Sequence, residues 1–90
     1  MIRLIDITLS DILNGEPHDC DKCAIALALR REYKTDRVDV GIDNSTSTPY
    51  LSVDCKELNI DYKMENYIHD FIVNFDEGAS VEPFTLEVVE

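Results

Sequence analysis

Ninety residues are one domain's worth of chain, and a composition of 44% hydrophobic and 30% charged residues belongs to a folded globular protein rather than a disordered one. Eight Lys and Arg against 19 Asp and Glu give a net charge of −11, which disfavours direct binding of nucleic acid or an anionic membrane, since like charges repel. The same charge favours a basic protein surface as partner, and it also serves plain solubility.

A single domain over residues 1–90 is expected. No run approaches the ~20 apolar residues of a membrane-crossing helix. The opening Ile2-Arg3-Leu4-Ile5-Asp6-Ile7 alternates and carries an internal Asp, unlike a secretory core, so a cytoplasmic protein is expected. Cysteine occurs three times, at 20, 23 and 55, an odd count that argues against a disulfide framework.

Residues 2–8 read as a strand, with Arg3, Ile5 and Ile7 on one face and Ile2, Leu4 and Asp6 on the other. A short helical turn over 9–13 and a loop at Asn14-Gly15-Glu16-Pro17 follow. Residues 20–33 read as a first helix, capped by Asp19 or Asp21 and apolar all round from Cys23 to Leu29. Arg30, Arg31 and Lys34 put positive charge where the helix dipole favours it.

Residues 37–43 alternate with Val38, Val40 and Ile42 inward, then turn through 44–49 into a second alternating run. That run should turn Leu51, Val53 and Cys55 inward and continue through Leu58, Ile60 and Tyr62 after a kink at Lys56-Glu57. Met64, Tyr67, Ile68, Phe71, Ile72 and Phe75 make one stripe at helical period, ending at Gly78. A last strand over 84–89 sets Phe84, Leu86 and Val88 on one face. The expected fold is α+β: an antiparallel sheet of four to five strands with two helices on one face, ferredoxin-like in its β-α-β-β-α-β order, with Leu27, Phe71 and Phe75 in the shared core.

Cys20-x-x-Cys23 is the motif that suggests chemistry. Zinc could use His18, Cys20, Cys23 and Cys55, but tetrahedral zinc sites usually draw on a second ligand pair, which is missing. A thiol-redox role would exploit a helix N-terminus, which lowers thiol pKa, yet Asp19 and Asp21 oppose thiolate formation. The plain alternative is two small thiols facing the core, and the expectation is accordingly no bound cofactor or metal. No phosphate-binding glycine loop and no nucleophile–base pair stands out.

Two stretches carry a resemblance: Asp19-Cys20-Asp21-Lys22-Cys23-Ala24-Ile25-Ala26-Leu27-Ala28-Leu29 after Gly15-Glu16-Pro17, and Phe71-Ile72-Val73-Asn74-Phe75-Asp76-Glu77-Gly78 followed by Val81-Glu82-Pro83-Phe84. Together they resemble a group of short uncharacterised bacteriophage and bacterial proteins with a C-x-x-C helix start and an F-D-x-G…V-x-P-F ending. The resemblance spans residues 5–86. Where that group has Pro after the second Cys this chain has Ala24, and Pro there would only start the helix. The resemblance implies a phage-type origin and brings no catalytic residues.

The residues read best as a small non-catalytic interaction protein that binds, and inhibits, a host protein through an acidic face imitating nucleic-acid charge. Asp36, Asp39, Asp43, Asp54, Glu57 and Asp61 are the candidate contact acids, with Tyr33 and Tyr50 as exposed aromatic contacts and Tyr67 in the core. The rival readings are a zinc- or thiol-dependent protein and a subunit that self-associates through a sheet edge.

Overall fold

In the computed structural model, which describes residues 1–89, the alternating and periodic runs become six strands and three helices. The order is β1 (Ile2–Ile7), α1 (Leu9–Asn14), α2 (Ala24–Tyr33), β2 (Val38–Asp43), β3 (Thr48–Val53), β4 (Lys56–Glu57), β5 (Asn59–Ile60), α3 (Tyr62–Asp76) and β6 (Phe84–Val89). The class is α+β and every strand pair is antiparallel. The six strands divide into two three-stranded sheets, β1-β6-β5 and β2-β3-β4, rather than the single ferredoxin-like sheet of four to five strands expected.

The division follows from where α2 lies. Ala24, Ile25, Ala26, Ala28 and Leu29 have no exposed surface, so this helix must be covered on several sides. It packs against β1 and β2, the outermost strand of each sheet. Leu27, expected in the core, lies on its half-buried side.

α2 also starts later than residue 20. The Asp19 carbonyl accepts the N–H groups of Lys22 and Cys23, and the Asp19 carboxylate accepts that of Asp21. Residues 19–23 are therefore a tight turn, and the helix N-cap position falls to Cys23, whose side chain makes no capping bond. Neither Asp19 nor Asp21 caps the helix.

α1 is short but well tied. Thr8 and Asp11 form a reciprocal capping box, Thr8 Oγ1 accepting the Asp11 N–H at 3.2 Å and the Asp11 carboxylate accepting the Thr8 N–H at 2.9 Å. Arg31 of α2 then donates through Nη1 and Nη2 to the two Asp11 oxygens, at 2.8 and 3.1 Å, and through Nη2 to the Asp6 carbonyl at 2.8 Å. Burial opposes charge on Asp11, but the bonds from Arg31 and Thr8 outweigh it and hold the carboxyl below its ordinary range.

The β3–β4 connection corrects two expectations. Asp54 and Cys55 sit at φ 52° and 66°, both left-handed, the backbone of a two-residue hairpin turn. The turn reverses the chain, so the β3 alternation stops at Val53 and Cys55 is exposed rather than inward. Tyr62 belongs to the first turn of α3, not to a strand, and is 74% exposed.

The α3 stripe forms as expected at Ile68, Phe71, Ile72 and Phe75, all buried. Tyr67, placed in the core by period alone, is 48% exposed; its ring meets Phe84 edge-on at 5.0 Å on the rim of the core. Phe71 stacks on Phe75 at 6.2 Å and tilts against Phe84 at 4.9 Å, joining α3 to β6. Gly78, at φ 78°, ends the helix while Gly78 N–H reaches the Phe75 carbonyl and Ala79 N–H the Asn74 carbonyl.

Two outcomes follow from this packing. Phe71→Ala leaves a cavity where α3, β6 and Phe75 meet and should cost about 3–5 kcal/mol, read as a lowered urea midpoint; an unchanged midpoint would contradict the placement. Asp11→Asn should cost about 1–3 kcal/mol at pH 7 by unpairing Arg31 and weakening the cap. Because the folded-state pKa is depressed, the Asp11 contribution is complete above the unfolded carboxylate range. It fades as pH falls through that range towards the lower folded value. The stability gap between wild type and variant should therefore shrink in acid, and a gap that widens below pH ~4 would show the linkage to be wrong.

Candidate functional site

The segment between α1 and α2 folds back over the chain and creates a recess. Glu16 N–H bonds the Lys22 carbonyl at 2.9 Å, closing the segment on itself. His18, left-handed at φ 61°, donates its N–H to Asp76 Oδ1 at the end of α3 at 2.9 Å, and its Nδ1 lies 3.9 Å from Asp76 Oδ2. The Cys20 carbonyl accepts the Val40 N–H at 2.8 Å. Between this segment, the outer edge of β2 and the last turns of α3 is a cleft of about 490 Å³. Cys20 and Cys23 line one side; Val40, Ile42 and Ile72 supply apolar wall; Asp19 and Asp76 supply carboxylates.

Tyr50 completes the recess. Register sets it opposite Gly41, and a Cβ on Gly41 would fall 2.7 Å from the Tyr50 hydroxyl and 2.9 Å from its ring. The ring therefore lies flat across β2 at the one position that offers no side chain. Burial raises the Tyr50 pKa, and Asp39, Cys20 and Asp43 raise it further.

The thiols are held protonated. Burial pushes Cys23 up to about 11, with Asp76 and Asp19 adding to the rise against helix N–H groups that lower it. Cys20 is raised by desolvation first and then by the adjacent Asp39 carboxylate. Asp19 and Asp21 share a hydrogen bond that lowers the first and raises the second. The helix N–H groups are the activating influence on Cys23, and burial outweighs them.

The possible zinc ligands are not gathered. His18, Cys20 and Cys23 line the cleft, but Cys55 sits in the β3–β4 turn and is no part of its lining. Among the described residues no three of those four bring ligand atoms within 4.8 Å; the group that does is Asp19, Cys20 and Asp21.

The candidate acids separate into two sets. Asp39 and Asp43 project from the outer face of β2, opposite Ser52 and Thr48, and Glu57 of β4 stands beyond Ser52, so Asp39, Ser52 and Glu57 form one row across three strands. The others lie elsewhere, and Asp54 and Asp61 already have bonding partners. Asp54 accepts from Thr35 Oγ1 at 3.3 Å and faces Arg37 at 3.9 Å; Asp61 caps α3; Asp36 is exposed in the α2–β2 loop. Asp43 also accepts the Ser45 N–H and hydroxyl, and these bonds lower its pKa. Neither tyrosine expected at the surface is fully exposed: Tyr33 carries the Arg3 guanidinium 4.9 Å above its ring, and Tyr50 is half-buried over Gly41.

Sequence reasoning missed Ile72 and Asp76 as cleft residues, because their contribution depends on where the 15–23 segment lands. It also missed the Gly41–Tyr50 contact, although a glycine inside an alternating strand was an available sign of close approach. No protein-family model, curated protein or solved structure matches the chain.

The thiol environment can be read directly. With its pKa near 11, about one Cys23 in a thousand should be thiolate at pH 8. Its alkylation by iodoacetamide should therefore be slow and should quicken about tenfold per pH unit between roughly 8 and 10. A rate already level at pH 8 would mean an activated thiol and would revive the redox reading.

Proposed function

We propose that this is a small, non-catalytic, acidic binding protein whose β2-β3-β4 outer face and adjoining cleft engage a basic surface on another protein, of the kind that holds nucleic acid. The carrying observation is that, among the described residues, the outward register positions of β2, β3 and β4 hold carboxylates and neither Lys nor Arg, the cations at its margin being Arg37 before β2, 3.9 Å from Asp54, and Lys56, which shares the register of inward Val53. Residues 39, 41, 43, 48, 50, 52 and 57 are Asp, Gly, Asp, Thr, Tyr, Ser and Glu. A face of one sign attracts and orients a partner of the other. With the phage-type origin that the resemblance implies, the partner is a host protein in the host cytoplasm, and occupying its basic groove would inhibit it. Protonated thiols support a binding role over a chemical one.

Self-association is the second reading. Ile2 and Leu4 of β1 and Val89 of β6 are exposed on the outer face of the other sheet, with Ile2 and Val89 directly paired. Two copies of a chain at −11 repel, so such an oligomer should tighten as salt rises, whereas the acidic face should lose its partner.

Immobilised protein exposed to host lysate at about 0.05 and 0.5 M salt separates the two, the Debye length falling from roughly 14 to 4 Å. The expected capture is of basic nucleic-acid-binding proteins, released at high salt and displaced by added DNA. Asp39→Asn with Asp43→Asn should weaken capture at least several-fold while folding survives, because an amide oxygen at position 43 can still accept the Ser45 bonds. Capture that persists in high salt and in the double variant would end this reading, and a defined oligomer tightened by salt would favour the second.

A further inference from the structure

β2 is the outermost strand of its sheet, and its free edge runs into the cleft. The direction of its backbone groups is fixed by two bonds. The Val40 N–H points away from β3, to the Cys20 carbonyl, while the Arg37 carbonyl points towards β3, to the Asp54 N–H. Backbone groups alternate sides along a strand, so Ile42 turns its N–H and C=O outward as Val40 does. Among the described residues no hydrogen bond reaches either group of Ile42. Cys20 thus makes the first rung on this edge and the next rung is open.

The open rung faces a recess of definite chemistry. A residue paired antiparallel with Ile42 sets its side chain on the same face as Ile42, which is the face of Val40 and Ile72 within the cleft. Val40, Ile42 and Ile72 make apolar wall there, and the polar lining is His18, Asn44, Tyr50 and the thiols with the carboxylates of Asp19 and Asp76, the latter already accepting the His18 N–H. An apolar stem with a cationic head is the shape of Lys and Arg. The flanking residues of the same segment would turn to the other face, towards Tyr50 and Asp43.

We propose that the partner contributes an extended segment that adds to the β2 edge at Ile42 and places an Arg or Lys side chain in the cleft between Ile72 and Asp76. This deepens the acidic-face reading and rests on it: the sheet face supplies attraction, and the edge supplies register. Strand addition draws affinity from main-chain bonds and selectivity from alternate side-chain pockets.

The test uses the full chain and three blocked pentapeptides followed by amide proton–nitrogen spectra at low salt: Ac-Val-Ser-Arg-Ser-Val-amide, the same peptide with Glu at the centre, and the Arg peptide N-methylated at its central residue. The Arg peptide should shift the Ile42 amide and slow its hydrogen exchange, with shifts also at residues 18–23. Methylation removes the donor to the Ile42 carbonyl and should weaken binding about tenfold, the equivalent of one net hydrogen bond at the upper end of its range. The Glu peptide should not bind. Equal binding of the two Arg peptides, with Ile42 unmoved, would overturn strand addition while leaving the acidic face intact. Failure of both Arg peptides to bind, with no response from the acidic face, would remove both readings.

Discussion

The contact between buried Asp11 and Arg31 fixes the relation on which the rest of the molecule depends. One carboxylate closes the capping box of α1 and receives both Nη atoms of a side chain from α2, and that same side chain holds a carbonyl of β1. Three elements that share no sheet ladder are thereby joined at one point. Close packing at Gly15 extends the junction, since a Cβ there would fall 2.7 Å from the Ala24 nitrogen, 2.8 Å from the Asp11 carbonyl and 2.9 Å from the Phe75 ring. The end of α1, the start of α2 and the core stripe of α3 meet at that residue, so any side chain would part them. With α2 held at both ends, the 15–23 segment has one course open to it, across Asp76 and onto the edge of β2, and that course makes the cleft.

A net charge of −11 suggests a coat of free carboxylates, yet many of the acids have local work. Asp11 and Asp61 cap helices, Asp19 and Asp43 hold turns, Asp54 braces a loop, and Asp76 anchors His18. Each bonds to groups that would otherwise be left unpaired at an element's end. The charge excess is therefore partly a by-product of a small fold that terminates its elements with Asp. The carboxylates left for the proposed recognition are fewer than composition implies, and Asp39 and Glu57 on the outer sheet face are among them.

What the sequence made legible was local. Alternation in residues 2–7, 38–43 and 50–53, and the 3.6-residue stripe of α3, each depend only on neighbours along the chain, and the buried faces came out as the period required, although β3 begins at Thr48, inside the stretch read as a turn. Tyr67 shows the limit of that reasoning: it shares the period of the stripe, but the helix presents it at the margin, where Phe84 covers only one edge of its ring. Cys55 and Tyr62 were misplaced by extending an alternation through a turn that cancels it. The division into two sheets was not legible, because nothing local tells β1 that its neighbour is β6 rather than β2. Nor was the cleft, since its walls come from residues as far apart as His18 and Asp76.

Burial and nearby carboxylates together keep the thiols quiet, and the carboxylates alone bear on the proposed ligand. Carboxylates around the cleft disfavour every negative charge within it: Cys20, Cys23 and Tyr50 are all pushed towards their neutral forms, with burial as the larger cause and Asp39, Asp76 or Asp43 adding to it. The carboxylate part of that effect reverses sign for ammonium and guanidinium and stabilises them, while the burial part opposes a charge of either sign. A nucleophilic or redox cysteine needs the opposite arrangement, with a cation or a bare helix N-terminus facing the sulfur. Cys23 does stand at the N-terminus of α2, whose N–H groups lower its pKa, but burial outweighs them and the carboxylates of Asp76 and Asp19 add to the rise. Neutral thiols then serve as small, weakly polar wall, and the charge around them is left to select what enters.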